Sequence, residues 1–179
     1  MRVDISAFSE ITIFNNPVYN DNRGQLTKFE LPILGKSFNS ILVSKNTLAG
    51  TVRGLHFQTP PFGEVKLVTC IRGKIIDYVL DIRVDSPNFG NWSQVLLDDT
   101  NQQSILIPIG FAHGFQSLEP NTEVLYTVSG DFSPDHSITI NVNDPDIALD
   151  FPMAISSIAD KDLMGISLFE LRKMRISWK

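Results

Sequence analysis

The chain has 179 residues, of which 42% are hydrophobic and 20% charged, a balance typical of a globular protein with its own core. Its 15 basic and 20 acidic residues leave a formal charge of −5, which argues against a nucleic-acid-binding surface because phosphate contacts need a surplus of Lys and Arg. The length predicts a single domain over 1–179. No apolar run has the length of a membrane span, the first residues are unlike a signal peptide, and the single cysteine, Cys70, excludes an internal disulfide. We therefore expect a cytoplasmic protein that binds neither membrane nor nucleic acid.

Short segments rich in β-branched and aromatic residues follow one another along the chain, separated by turn-forming residues. In chain order they are 10–19, 40–46, 50–58, 65–73, 74–83, 91–97, 104–110, 112–118, 123–130 and 137–144. Ten strands in one domain of this size predict an all-β architecture of two packed sheets or a closed barrel. Only the tail, 167–178, has a helix-forming composition, and it predicts a short helix on the outside of the domain or against a partner subunit.

The segment Arg-Gly-Leu-His, 53–56, places a cation close to an imidazole. Side chains alternate in a strand, so His56 and Gln58 face one side while Arg53 would face the other. Gly54 permits a β-bulge, which would turn Arg53 and His56 toward one cavity. The residues alone leave two interpretations of His56, a functional imidazole in a cavity or a core histidine bonded to a backbone carbonyl.

Two further residues invite a functional interpretation. Lys66 begins an apolar strand, where a buried ammonium is costly unless it has a purpose; the alternative is a side chain that extends to water. His113 follows a turn defined by Pro108 and Gly110, and its pattern fits a packing role as well as a ligand-binding one.

Residues 50–73 and 108–113 resemble the two signature blocks of the cupin jelly roll. In metal-binding cupins the first block supplies two histidines and a carboxylate, and the second block one more histidine. Here Gln58 stands in place of the second histidine and Lys66 in place of the carboxylate, and an ammonium repels a divalent cation. The resemblance implies a cupin-like double-sheet jelly roll barrel that holds no metal and uses no cofactor.

Eight segments resemble, in order and spacing, the dTDP-4-dehydrorhamnose 3,5-epimerase family. They cover nearly the whole chain: DNRG, GTVRGLHFQTPP, KLVTCIRGKIIDYVLDIR, SPNFGNW, IPIGFAHGF, VLYTVSGDFSP, NDPDIALDFP and DKD. The resemblance implies a homodimeric enzyme, with an N-terminal strand exchanged between subunits, that inverts C3, C5 or both in a nucleotide-linked 4-keto-6-deoxyhexose.

The resemblance also implies four catalytic residues. A proton next to a ketone is only weakly acidic, so its removal needs a base and a cation that holds the enolate oxygen. By resemblance His56 is the base, Asp162 fixes its tautomer, and Lys66 meets the sugar C4 oxygen. Tyr126 matches the acid that returns a proton from the opposite face; without the resemblance it would be a half-buried core tyrosine.

Five further residues match positions that contact the substrate in the family. Arg23 and Arg53 match arginines that bind the diphosphate, and Lys161 joins them. His113 matches a substrate-contacting histidine, and Phe132 falls where a ring stacks on the nucleotide base.

Two stretches, 25–28 and 40–49, depart from the family pattern, with the charge reversed at Lys28. Both lie in the expected recognition shell, so the resemblance indicates the reaction more firmly than the nucleotide, the sugar or the carbon inverted. Three rivals remain. A sugar 3,4-ketoisomerase of the same fold commonly has two histidines close together in the strand, which Gln58 disfavours. A non-catalytic nucleotide-sugar-binding cupin would have kept the cup alone, and a metal-dependent cupin oxygenase conflicts with Lys66.

Overall fold

The computed structural model describes residues 1–29 and 38–178 of the chain. Within these ranges it contains twelve strands and two short α-helices. The strands are β1 (Thr12–Asn15), β2 (Val18–Asp21), β3 (Gly24–Thr27), β4 (Phe38–Asn46), β5 (Val52–Gln58), β6 (Lys66–Arg72), β7 (Lys74–Asp81), β8 (Trp92–Asp98), β9 (Gln103–Ile107), β10 (Phe111–Ser117), β11 (Thr122–Ser129) and β12 (Ser137–Thr139). The helices are α1 (Asp160–Leu163) and α2 (Leu168–Met174). No helix in the described ranges is long and apolar enough to cross a membrane.

Ten of these strands form two antiparallel sheets of five strands each. Sheet I has the order β1-β9-β6-β11-β4, and sheet II has the order β12-β5-β10-β7-β8. Strands β2 and β3 pair only with each other and form a separate hairpin. From β4 to β12 the chain crosses between the two sheets at every step except from β7 to β8, so the predicted double-sheet jelly roll is confirmed.

The first core lies between the two sheets. Because side chains alternate along a strand, each sheet presents every second residue to this interior. Val68 of β6 and Val124 of β11 contribute from sheet I, and Val79 of β7 and Phe115 of β10 contribute from sheet II, all of them buried. Burial of each such side chain contributes roughly 1.5–3 kcal/mol, so this interior holds the two sheets together.

A second core covers the outer face of sheet II. Leu55 and Phe57 of β5 point away from the barrel interior and pack with residues of the C-terminal segment. Leu171 of α2 is fully buried there, and the Trp178 ring lies 6.0 Å from the ring of Phe57. The predicted helix thus lies on the outside of the domain, and it begins at a capping box in which Ser167 accepts a hydrogen bond from the backbone N–H of Glu170.

The N-terminal prediction of one strand over 10–19 was wrong. The strand ends at Asn15. The backbone N–H of Asn16 still donates to the Gln102 carbonyl at 3.0 Å, and its side-chain amide donates to the same carbonyl at 2.7 Å and to Ser104 Oγ at 2.8 Å. Pro17 then lacks the N–H that a continuing ladder needs. The chain resumes as the separate hairpin, so the second half of the predicted segment lies outside both sheets.

Candidate functional site

A β-bulge in β5 brings two predicted site residues to the same cavity. His56 pairs with His113 across β10, whereas Arg53 pairs with Phe115, so three steps of β5 lie opposite two steps of β10. The extra residue reverses the alternation of side chains, as the sequence predicts from Gly54. Arg53 and His56 consequently line one cavity.

Two glycines make this bulge possible. Gly54 has a φ of +126°, and a Cβ there would lie 2.5 Å from the Cα of Gly114 on the neighbouring strand. A Cβ on Gly114 would meet the Arg53 carbonyl oxygen at 2.6 Å. Both strands therefore need glycine where they cross, since real Cβ atoms do not approach other atoms so closely.

The cavity has a volume of about 390 Å³ and receives side chains from both sheets. Arg53 and His56 come from β5 of sheet II, and Tyr126 comes from β11 of sheet I. Lys161 and Asp162 reach it from α1, which lies beside the end of β5. Five of the nine predicted site residues thus line one cavity, although they come from widely separated parts of the sequence.

His56 and Asp162 form a close pair at this cavity. His56 Nε2 lies 2.6 Å from Asp162 Oδ1, and Asp162 Oδ2 accepts a hydrogen bond from the Gly54 N–H at 3.2 Å. Burial acts to raise the pKa of Asp162, but the hydrogen bonds from His56 and Gly54 outweigh it and hold that pKa below 3.8. The carboxylate is therefore ionised at neutral pH and accepts the Nε2 proton, which leaves the Nδ1 lone pair of a neutral ring free to take another.

Lys66 lies beside this cavity without lining it. Its ammonium donates to the backbone carbonyl of His56 at 3.3 Å and pairs with Glu64 Oε1 at 3.1 Å. Both side chains of this ion pair are largely buried, at 12% exposure for Lys66 and 15% for Glu64. The predicted ammonium thus contacts the residue that carries the imidazole, with a carboxylate partner that the sequence analysis missed.

Tyr126 presents a protonated hydroxyl to the cavity. Burial, followed by the negative charge of Asp77, raises the pKa of Tyr126 far above its ordinary value of 10, against smaller opposing effects of Arg53 and a hydrogen bond with Ser44. The phenol therefore keeps its proton across the physiological range and can act only as a proton donor or a neutral hydrogen-bonding group.

His113 belongs to a second, buried pair. Its Nε2 lies 2.6 Å from Asp77 Oδ2, and the His113 side chain is only 5% exposed. Its ring packs edge-on against Tyr126, with 6.0 Å between ring centroids, and does not line the cavity. The sequence analysis missed Asp77, although a signal was present: it alternates with the inward-facing Ile75 and Val79 on β7, so a carboxylate at that position has to be buried.

Two predicted substrate-binding residues lie away from the cavity within this chain. Arg23 is at the turn of the separate hairpin, paired with Asp21 at 2.6 Å, and its side chain is 85% exposed. Phe132 is 73% exposed in the loop that follows β11. Neither side chain lines the cavity that holds His56.

Gln58 occupies the position at which metal-binding cupins have a second histidine, and here it is a buried structural residue. Its amide nitrogen donates to the Phe62 and Asp131 carbonyls at 3.1 and 3.2 Å and to Glu64 Oε2 at 3.3 Å. Its amide oxygen accepts the Ser133 N–H at 2.7 Å. Gln58 thus links the loop that carries Phe132 to Glu64, the carboxylate partner of Lys66. Within 1–29 and 38–178, no group of three His, Cys, Asp or Glu side chains is arranged to hold a metal ion.

A larger cavity, of about 570 Å³, lies elsewhere, between the N-terminal segment, the loop after β7 and the C-terminal tail. None of the predicted site residues lines it. Its Arg83 guanidinium is already bound by Asp81 at 2.7 Å and by Glu10 at 2.5 Å. Size alone therefore does not identify the reactive site; the smaller cavity contains the residues that can carry out proton transfer.

Comparison with known proteins identifies the family of this chain. Residues 6–170 match the family model described as dTDP-4-dehydrorhamnose 3,5-epimerase. A curated dTDP-4-dehydrorhamnose 3,5-epimerase from Mycobacterium tuberculosis is 42% identical over 127 residues, which are 69% of this chain and 63% of that protein. The match thus spans less than two thirds of this relative's length.

Two solved structures are similar over most of their length. The dTDP-4-dehydrorhamnose 3,5-epimerase from Bacillus anthracis, with TDP and PPi bound, is 35% identical with a TM-score of 0.84, covering 89% of this chain and 95% of that one. The dTDP-6-deoxy-D-glucose-3,5-epimerase from Legionella pneumophila, in complex with dTDP-4-keto-L-rhamnose, is 30% identical with a TM-score of 0.86, covering 93% and 92%. With its jelly roll, its histidine–carboxylate pair and these matches, the chain belongs to the dTDP-4-dehydrorhamnose 3,5-epimerase family.

Proposed function

We propose that the chain is a cofactor-independent epimerase that inverts C3, C5 or both in a nucleotide-linked 4-keto-6-deoxyhexose. The observation that carries the proposal is the pairing of His56 with an ionised Asp162 at a cavity that also holds the hydroxyl of Tyr126. Together these groups can remove a proton next to a ketone and return one to the same carbon.

His56 is the proposed base. Asp162 accepts the Nε2 proton, so Nδ1 carries the lone pair, and this nitrogen has no hydrogen-bond partner in the described part of the chain. Nδ1 would take the proton from the carbon next to the C4 ketone. The imidazolium that forms is stabilised by the ionised carboxylate, whose second oxygen is held by the backbone N–H of Gly54.

Lys66 is the proposed stabiliser of the enolate. As the C–H bond breaks, negative charge develops on the C4 oxygen, and an ammonium that is largely shielded from water stabilises it more than an exposed one would. The Lys66 ammonium donates to the backbone carbonyl of His56, so the cation is held next to the residue that carries the base.

Tyr126 is the proposed acid. Inversion requires that the proton return to the face opposite the one from which it left. His56 belongs to sheet II and Tyr126 to sheet I, so a sugar ring between the sheets has one group on each side. Burial keeps the pKa of Tyr126 high, and the phenol therefore has a proton to give.

The diphosphate would be bound by cations at the cavity rim. Arg53 uses its Nε to hold Asn46 Oδ1 at 2.8 Å, which leaves the outer guanidinium nitrogens for phosphate oxygens. Lys161 lines the same cavity from α1. The relatives with bound TDP or dTDP-4-keto-L-rhamnose support a thymidine nucleotide as the first to test.

We further propose a homodimer in which the β2–β3 hairpin reaches the partner's cavity. The hairpin pairs with neither sheet of its own chain, and its Tyr19 and Leu26 are exposed, as are Ile41 and Leu42 on the edge strand β4. Exposed apolar surface on an unpaired hairpin and on an edge strand favours contact between copies. The exchange would carry Arg23 to the other subunit's diphosphate. We place this enzyme in the cytoplasm, in keeping with its buried free thiol, Cys70.

The function is tested by incubation in D₂O with dTDP-, CDP- and GDP-linked 4-keto-6-deoxy sugars, followed by NMR of the product. We expect deuterium at C3, C5 or both, with the ketone still at C4. A protein that exchanges no carbon-bound proton on any of these sugars is not an epimerase of this type.

The exchanged hairpin is tested by mixing two inactive variants, Arg23→Ala and His56→Asn. A mixed dimer has one site with a native His56 and a native Arg23 from the partner, so random mixing restores about a quarter of the activity. Mixtures that stay inactive, or a stable monomer by light scattering, would rule out the exchange.

A further inference from the structure

We propose that Glu64 is a positioning residue that aims the Lys66 ammonium at the developing enolate; this inference rests on the proposed function. Glu64 precedes β6 by two residues, and its Oε1 lies 3.1 Å from Lys66 Nζ. The pair is largely buried, where the attraction between opposite charges is stronger than at a surface.

The ammonium has two polar partners in the described part of the chain. It donates a hydrogen bond to the His56 carbonyl at 3.3 Å, and it forms an ion pair with Glu64 Oε1 at 3.1 Å. Together these contacts restrict the position of a group that otherwise moves freely at the end of a four-carbon stem. The N–H groups that do not bind the His56 carbonyl remain for a ligand oxygen.

Glu64 is itself held in place. Its Oε2 accepts a hydrogen bond from the side-chain amide of Gln58 at 3.3 Å, and Gln58 is buried, with its amide oxygen occupied by the Ser133 N–H at 2.7 Å. The carboxylate is thus fixed from behind by a residue that cannot move independently of the fold. A carboxylate held this firmly is suited to orient the proposed catalytic side chain that it contacts, the Lys66 ammonium.

A second carboxylate lies near the ammonium, so Lys66 has an alternative anionic partner. Asp77 interacts electrostatically with Lys66, and its Oδ1 is buried without a hydrogen-bond partner among the described residues. Without Glu64, the flexible lysine would turn toward Asp77, deeper in the barrel interior. Glu64 therefore holds Lys66 at the His56 side of the interior, where the ketone is expected.

The test is a double-mutant cycle built from Glu64→Gln and Lys66→Met. Glutamine keeps the shape and an acceptor oxygen but removes the charge, and methionine keeps the stem of the lysine without its ammonium. We expect Glu64→Gln to lower kcat about tenfold, Lys66→Met about 10³-fold, and the double variant no further than Lys66→Met alone. Because Glu64 acts on the transition state through Lys66, KM should stay within about twofold.

A less conservative variant and a matched control complete the experiment. Glu64→Ala removes the acceptor altogether and should lower kcat about 100-fold, the effect of a misplacement near 1 Å, while the thermal unfolding temperature reports whether the variant folds. Glu123→Gln, which breaks an ion pair with the exposed Lys45, should leave kcat unchanged.

The outcomes separate the two proposals. A wild-type protein that shows no exchange on the sugar panel overturns the proposed function, and the role of Glu64 with it. An active wild type in which Glu64→Gln costs the same factor with and without Lys66, or raises only KM, overturns the positioning role alone. A folded Glu64→Gln variant with full kcat does so as well.

Discussion

The described part of the chain contains two histidine–aspartate pairs with the same separation in very different surroundings. Each has 2.6 Å between Nε2 and a carboxylate oxygen, yet the His56 side chain is 31% exposed at a cavity and that of His113 is 5% exposed between the sheets. The carboxylates differ too. Hydrogen bonds hold the pKa of Asp162 low in spite of its burial, whereas burial raises the pKa of Asp77 in spite of His113.

This difference teaches that a short histidine–carboxylate contact does not define a catalytic site. His56 has an ionised partner, a free ring nitrogen and access to a ligand, so it can cycle a proton. His113 has a partner, Asp77, whose charged form is costly to bury. The ring of His113 packs edge-on against the ring of Tyr126. Under the proposed function, the first pair transfers the proton and the second holds a neighbouring side chain in place.

The strongest test of the difference between the two pairs is to replace each histidine by asparagine. His56→Asn should lower the rate of deuterium incorporation about 10³-fold, because a positioned base contributes roughly 10²–10⁴-fold. His113→Asn should lower it only about tenfold, the value of one hydrogen bond to a charged group. NMR exchange rates for both variants, compared at equal folded fraction, measure the ratio. Equal losses would mean that both pairs react.

Tyr126 lies close to both histidine–aspartate pairs, and Tyr126→Phe tests its role. Loss of the hydroxyl should lower epimerisation about 100-fold, because no acid remains on the sheet I side to protonate the enolate. His56 can still remove a proton and return deuterium to the same face, so exchange with retention should persist. Parallel NMR of deuterium content and of sugar configuration separates the two rates. If both fall together, Tyr126 takes part in proton removal as well.

The smallest expected effect is on stability, and it should have opposite signs for the two carboxylates. The pKa of Asp162 is lowered on folding, so its stabilisation is complete above pH 3.8 and disappears as the pH falls below that value. The pKa of Asp77 is raised, so its contribution is most favourable at low pH and declines as the pH rises through the folded value.

The measurement is the thermal unfolding temperature of Asp162→Asn and Asp77→Asn between pH 3 and pH 8. Relative to wild type, the loss in Asp162→Asn should grow as the pH rises from 3 to 5, and the loss in Asp77→Asn should shrink as the pH rises. Differences of about 2–4 °C are expected for each 1 kcal/mol in a chain of this size. Parallel pH curves for the two variants would contradict the assigned environments.

Local features of the sequence were enough to predict much of this structure. Segments rich in β-branched and aromatic residues, separated by turn-forming residues, located the strands of the two sheets, and Gly54 correctly predicted the bulge that brings Arg53 and His56 to one cavity. The prediction of one continuous strand over 10–19 failed at Pro17, because a composition rich in β-branched and aromatic residues does not take account of a missing N–H.

The remaining contacts depend on distances that the sequence does not contain. Glu64 lies in a loop with no strand or helix period, so nothing in the sequence indicates that its carboxylate turns toward Lys66. Gln58 was interpreted through the histidine it replaces, and only the structure shows that it ties two loops together. The position of Arg23 depends on whether a second copy of the chain takes the hairpin.

The contact between Gly54 and Gly114 has a consequence for judging other sequences. A methyl group at either position would push β5 and β10 apart and turn Arg53 away from His56, although every reacting group would still be present. A homologue can therefore keep a full set of acids and bases and yet be inert through a change at a residue that has no side chain at all. When activity is inferred for a homologue from its reactive residues, glycine should also be required at the positions of Gly54 and Gly114.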